Sequence, residues 1–257
     1  MFVTKSESIT RVYDRKVAYY YDLMYSSKDY TKEVEFIMAA NPGAKRILDV
    51  GCGSGTHSIL LSERNLDCVV GIDFSSPMIT MAQAKVQDRN NVKFEVKSVD
   101  ELEESEFDTI ISMFNVVNHI LHLDDLAQLF KTIKMKLNKD WVFIFDCWNG
   151  IAAILDPPRP QTEVRFDNGL TQIVTENHPT VDIMESLVSM PIRVSIRKEN
   201  VLIDKFGYVL KHVLWTPKIL KDLALGVGFQ NVKICAPYDI IKNANKNNYK
   251  LVFVCKA

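Results

Sequence analysis

The residue types best suited to chemistry gather in one short stretch, Arg46 to Thr56, RILDVGCGSGT. Gly51, Gly53 and Gly55 are spaced two apart, Asp49 precedes them, and Asp73 follows about twenty residues beyond. Glycines without a Cβ let a flat, polar ligand lie almost on the backbone, and a helix starting at Thr56 would add unpaired N–H donors. Asp73 falls where a ribose would present its hydroxyls. The spacing is G-x-G-x-G, not the G-x-G-x-x-G of a dinucleotide turn. A second group, Asn115, Asn118, His119 and His122, lies further along. Of these, His119 is the candidate for acid–base work or for positioning an acceptor, because an imidazole titrates near neutrality. His122 reads as surface.

These residues need elements to hold them. Ile47 to Val50 reads as a buried strand, and the pattern Ile59, Leu60, Leu61 as a helix behind it. Val69 to Ile72 is the next strand, Ser76-Pro77 opens a helix as N-cap and N1, and Met78 could lie flat against an adenine. Strands follow at 92–96, 107–112 and 141–147, with a helix from about Leu123 to Leu137. Alternation of this kind predicts a doubly wound, mostly parallel α/β sheet, with the ligand beyond the carboxyl ends of its strands. Phe74, Ser98, Val99 and Met113 then fall in loops lining that cleft. Residues 12–40 read as helical and carry five tyrosines between positions 19 and 30. After Trp148 the rhythm breaks into β-like runs at 163–166, 171–176, 181–189, 192–197 and 201–213. A helix capped by Thr216-Pro217 and strands at 231–235 and 249–255 finish the chain.

The motifs D-V-G-C-G-S-G and G-I-D-F-S-S-P-M resemble those of class I S-adenosylmethionine (SAM) methyltransferases. Nearly the whole chain is similar to the N-methyltransferases of nucleotide-linked amino sugars. The shared residues are Tyr21-Asp22-Leu23, Lys28-Asp29-Tyr30, L-D-V-G-C-G-S-G-T-H, S-M-F at 112–114, His119 and Trp148. The resemblance implies a Rossmann-like sheet of seven strands with an inserted antiparallel β segment. It divides the chain into a lid (1–40), a SAM-binding core (41–147), a β subdomain over the active site (148–215) and a closing helix and strands (216–257). It also implies that Tyr13 and His119 lie near the acceptor nitrogen, and Tyr21 and Tyr30 near the cofactor. The family's acid after the third strand is replaced by Lys97-Ser98, so Ser98 or a backbone group must substitute. Arg159 and Arg165 could grip a diphosphate through their forked donors. A hydroxyl acceptor, or a SAM-binding protein without turnover, stays open as an alternative. A nicotinamide oxidoreductase is disfavoured by the glycine spacing and by Met78 and Met113.

The chain has 257 residues and a formal charge of −1, from 31 basic and 32 acidic residues. It has no basic stripe, which disfavours a nucleic-acid substrate. The five cysteines are scattered without a C-x-x-C pair, which reads as reduced core thiols, and no metal is called for. No apolar run reaches membrane-spanning length. The expectation is a soluble cytoplasmic protein acting on a small molecule, with a homodimer through the inserted segment by analogy of fold.

Overall fold

A computed structural model describes residues 12–86, 88–167 and 170–257; the start of the expected lid, before residue 12, lies outside them. The helical stretch is two helices, α1 (Arg15–Met24) and α2 (Tyr30–Ala40). Two acids divide it. The Asp14 carboxylate accepts the N–H groups of Lys16 and Val17, and Asp29 accepts that of Lys32, so each starts a helix of its own.

The Gly-rich turn joins β1 (Arg46–Val50) to α3 (Thr56–Ser62), and β2 (Cys68–Asp73) follows. Ser75 rather than Ser76 caps α4 (Ser76–Ala84): its hydroxyl accepts the Met78 N–H, and Pro77 sits one position further in. Next come β3 (Val92–Val96), β4 (Phe107–Ser112), a 3₁₀ turn over Val116–His119, α5 (Leu123–Lys136) and β5 (Leu137–Trp148). β1 pairs in parallel with both β2 and β4, so the strand order reverses direction at β1. In doubly wound sheets a ligand binds at such a reversal, beyond the strands' carboxyl ends.

A short helix, α6 (Gly150–Leu155), leads to a second, antiparallel sheet. It contains β6 (Gln161–Asp167), β7 (Thr171–Asn177), β8 (Thr180–Asp182), β9 (Leu187–Lys198) and β10 (Val201–Val213). The sequence suggested a strand break before residue 192, yet β9 runs straight through Pro191. On one side β8 pairs with residues 187–189 and β7 with residues 192–198, leaving Pro191 in the gap between them. Its carbonyl accepts the His178 N–H on that side. In a strand the N–H and C=O of one residue point the same way, so the missing donor falls where no ladder bond is needed.

α7 (Pro217–Gly226), β11 (Asn231–Ala236), β12 (Asp239–Asn243) and β13 (Lys250–Lys256) complete the main sheet. Its order is β12-β11-β13-β5-β4-β1-β2-β3, eight strands where seven were expected. The eighth, β12, is a mostly exposed hairpin return on β11 and carries little apolar pattern. Successive strand residues serve opposite faces, as the pleat requires. Leu48, Val70, Ile110 and Phe143 pack with Leu126, Phe130 and Leu220 of α5 and α7. Their neighbours Ile47, Val69, Ile111 and Ile144 pack with Ile37, Leu61 and Ile79 of α2, α3 and α4. The second sheet makes its own core, closed by Val17 and Met24 of α1.

Candidate active site

All three glycines of the turn hold left-handed backbone, with φ of +75°, +54° and +81° at Gly51, Gly53 and Gly55. A Cβ on Gly55 would stand 2.6 Å from the Phe94 ring, whereas one on Gly53 would meet nothing within 4 Å. Gly55 is therefore required by packing, and Gly53 borders open space. Asp73 spans the turn: its Oδ2 accepts the Gly53 N–H at 2.9 Å and its Oδ1 the Ser75 N–H at 2.8 Å. Burial pushes this carboxyl up, and the backbone N–H groups around it oppose the shift. Asp49 is buried, and its Oδ2 accepts the Ser58 hydroxyl at 2.6 Å, which ties β1 to α3.

The N-terminal helices are fastened to this turn. The buried Ser54 hydroxyl donates to Asp22 Oδ1 at 2.6 Å, and Lys85 pairs with the same carboxylate. The Ser75 hydroxyl donates to the Tyr13 carbonyl at 2.8 Å. Tyr13, Tyr21, Tyr25 and Phe114 make a chain of ring contacts with centroids 6.1, 4.8 and 4.9 Å apart. Tyr13 also meets His119 edge-on at 6.3 Å. Burial pushes the Tyr13 and Tyr21 hydroxyls well up, so both stay protonated. Tyr30 stands against His57, whose Nε2 lies 2.6 Å from the Glu33 carboxylate; Lys28 pairs with that carboxylate too.

The loop after β4 is under constraint. Phe114 and Asn115 have φ of +67° and +66°, unusual for residues with a Cβ. The buried Asp146 holds them there: its Oδ1 accepts the Asn115 N–H at 2.6 Å. Its Oδ2 accepts the Tyr238 hydroxyl at 2.5 Å and the Lys250 ammonium at 3.1 Å. Asn118, fully buried, accepts the Trp148 N–H and donates to the Val213 carbonyl, stapling the 3₁₀ turn to β5 and β10. His119 thereby faces Tyr13 on one side and His212 on the other, with 3.3 Å between the two Nε2 atoms. Burial depresses its pKa to about 4. Trp148 meets His212 edge-on at 5.0 Å.

The structure thus brings Gly51, Gly53, Gly55, Asp49 and Asp73 together. It also groups Tyr13 and Tyr21 with His119, and sets Trp148 beside His212. Met78, Val99 and Met113 are buried side chains of the core. Phe74 is half-buried next to Asp73. Ser98 bonds Glu101 through its N–H and hydroxyl. Arg165 pairs with Glu163, and Arg159 stands in solvent paired with Asp156. Asp146, Tyr238, Lys250 and His212 were missed. Asp146 alone had a local signal, an acid inside the apolar run WVFIFDC. Among the described residues no group of three His, Cys, Asp or Glu side chains is placed to hold a metal.

Residues 47–140 match the methyltransferase domain family, and this stretch of the chain is a methyltransferase domain. Over most of the described residues the fold is that of SAM-dependent methyltransferases. A structure of one from Clostridium acetobutylicum superposes with a TM-score of 0.77 at 21% identity, covering 95% of this chain and 98% of that one. DesVI of Streptomyces venezuelae gives 0.77 at 16% identity, covering 94% and 98%. Among curated proteins, one from Geobacillus sp. (strain WCH70) whose name carries the word methyltransferase is 32% identical over 136 residues, 50% of this chain and 55% of that protein. The dTDP-3-amino-3,4,6-trideoxy-alpha-D-glucopyranose N,N-dimethyltransferase of Streptomyces venezuelae is 26% identical over 134 residues, 50% and 55%. The chain spans about half the length of the curated relatives it matches.

S-adenosyl-L-methionine is the cofactor of this domain. The residues present fit it: open space lies where a Cβ on Gly53 would stand, with the Asp73 carboxylate directly beside it.

Proposed function

We propose that this protein transfers a methyl group from SAM to the amino group of a small molecule, a nucleotide-linked amino sugar. The observation that carries the reading is the placement of His119 against Tyr13, whose own carbonyl is bonded to Ser75 beside Asp73. An acceptor held beside these two side chains would be next to the cofactor turn. The relative that methylates a dTDP-linked amino sugar and the likeness to DesVI support the choice of acceptor.

The cofactor supplies a methyl carbon made electrophilic by its sulfonium. The chain's part is to align the acceptor and keep water out. Gly51, Gly53, Gly55 and Asp73 hold the nucleoside end, with Tyr21 and Tyr30 near the methionine end. Tyr13 and His119 hold the acceptor nitrogen, and Trp148 borders its ring. Residues 1–40 serve as the lid over the core of 41–147, and 148–215 as the cover on the acceptor side. The small-molecule acceptor, a homodimer through the second sheet and a cytoplasmic location belong to the same reading; the five cysteines are free thiols, as a reducing compartment would keep them.

The test is incubation of the purified protein with methyl-labelled SAM and paired nucleotide sugars carrying an amino or a hydroxyl group at the same carbon. Label appearing on the amino sugar is the expected result; label on the hydroxyl sugar alone would replace this reading with O-methylation. His119→Asn separates the two chemistries further. An amine can lose its proton to water, so the variant should retain activity reduced roughly ten- to a thousandfold in kcat/KM. A hydroxyl acceptor, with its much higher pKa, would lose turnover almost completely.

A further inference from the structure

The helix α1 carries the same two residue types in two adjacent registers, and only one register is satisfied. Lys16 and Tyr20 lie four residues apart, on one face of α1. Both are answered by β10. The Lys16 ammonium pairs with Asp204 at 2.7 Å, and the Tyr20 ring stacks on Phe206 with centroids 6.0 Å apart and 20° between the planes. Asp204 and Phe206 are two residues apart in their strand, so both lie on one face of it. Arg15 and Tyr19, one position back along α1, repeat the cation and the phenol at the same spacing. Among the described residues the Arg15 guanidinium has no hydrogen-bond or ion-pair partner. Tyr19 is 72% exposed, and among those residues it meets another ring only edge-on, at Tyr20. No described residue answers this second register.

Both side chains border a cavity of about 470 Å³ between α1 and α4, with Ser76, Thr80 and Met81 on its opposite wall. That volume is in the range of small-molecule sites. None of the residues placed at the cofactor turn or beside the acceptor lines it. We propose that this cavity is a second binding site, for a small aromatic anion: its acidic group pairs with Arg15 and its ring stacks on Tyr19, as Asp204 and Phe206 do for Lys16 and Tyr20. Four residues of helix rise about 6 Å, so the acidic group and the ring must lie roughly that far apart. A planar guanidinium grips a phosphate or a carboxylate with two parallel N–H donors. Stacking on a tyrosine needs only a flat ring, whatever its substituents. The Ser76 hydroxyl adds a donor from the opposite wall, whereas that of Thr80 already donates to the Ser76 carbonyl. A nucleoside monophosphate and an arylpropionate both have this form. Either would tie α1 to α4 beside the bond from Ser75 to the Tyr13 carbonyl.

The experiment is calorimetry of the full chain, saturated with the demethylated cofactor so that the cofactor turn is already occupied. The probes are thymidine monophosphate and 3-phenylpropionate, one for each source of the anion. At least one should bind with a dissociation constant of about 1 mM or lower, and the tighter of the two names the source. Inorganic phosphate, acetate and thymidine each carry half of the pattern and should bind roughly tenfold or more weakly. Arg15→Gln and Tyr19→Ala should each weaken the tighter probe roughly tenfold or more, while Tyr19→Phe, which keeps the ring, should stay within about twofold. Both positions are exposed, and thermal melting checks that each variant is folded. Absence of binding by both probes would overturn the proposal, as would an isolated anion held as tightly as the whole ligand. So would an affinity unmoved in a folded Arg15→Gln or Tyr19→Ala variant, which would put the probe elsewhere, the acceptor's place included.

Discussion

Gly53 and Gly55 share a turn and a left-handed backbone, yet their Cβ positions face opposite surroundings, and this separates binding from folding. Gly53→Ala meets no atom and should cost about 1 kcal/mol of stability for its φ alone. Its methyl would enter the space left for the cofactor, so SAM affinity measured by calorimetry should fall at least tenfold. Gly55→Ala drives a methyl into Phe94 and Ala82, and the Phe94 ring is wedged against Gly71 as well. Chemical denaturation should show a loss of about 2–4 kcal/mol. Glu33 gives the pH dependence. Burial alone would raise its pKa, but the bonds to His57 and Lys28 outweigh it and bring the group down to about 2, from 4.5. A depressed folded-state pKa stabilises above the unfolded value and is lost as pH falls through the folded one. The contribution is therefore complete above about pH 4.5, is on the order of 3 kcal/mol, and disappears between pH 4.5 and 2. Glu33→Gln should be destabilised by about that amount at pH 7 and far less at pH 3, measured by urea unfolding at both.

Among the elements, α1 depends on a few polar fastenings to the cofactor turn. The Lys85–Asp22 pair is half in solvent and contributes little, while the Ser54 hydroxyl is buried. Ser54→Ala should cost about 1–2 kcal/mol and speed amide exchange across residues 15–24 more than across β1 or β4. In the wild type, the demethylated cofactor should slow exchange over the same helix; protection confined to Gly51–Gly55 would contradict a lid. How far the sequence could be read follows from the reach of each contact. The Gly-rich turn and Asp73 were legible because one βα unit and the next strand contain them. The fastening of Phe114 and Asn115 was not, because Tyr238 and Lys250 reach Asp146 across sequence separations of 92 and 104. His212 meets His119 across 93 residues, and no periodicity reports such a meeting. β12 escaped for a different reason: a hairpin return exposed on most of its length has no apolar alternation to reveal it.

Among the described residues the second sheet ends at β6 and β10, with β8 pairing only with β9, and exposed apolar side chains at those ends include Phe166 at 60% and Ile203 at 53%. Edges of this kind favour pairing unless something covers them. Light scattering should give about twice the 29.4 kDa chain mass. The double variant Phe166→Glu, Ile203→Lys should return the single mass while leaving SAM binding unchanged. A wild-type mass of one chain would remove the dimer from the reading.

The tie from Asp146 to Tyr238 and Lys250 also sets a timetable. Lys250 is 104 residues beyond Asp146, a delay of roughly 5–20 seconds at ordinary rates of synthesis. Until it and Tyr238 leave the ribosome, β1, β2 and β4 can pair and the glycine turn can form. The left-handed bend at Phe114 and Asn115, however, still lacks two of the groups that brace its carboxylate. On the proposed reading, the brace at Phe114 and Asn115, which borders the acceptor, is completed only once Tyr238 and Lys250 have been made.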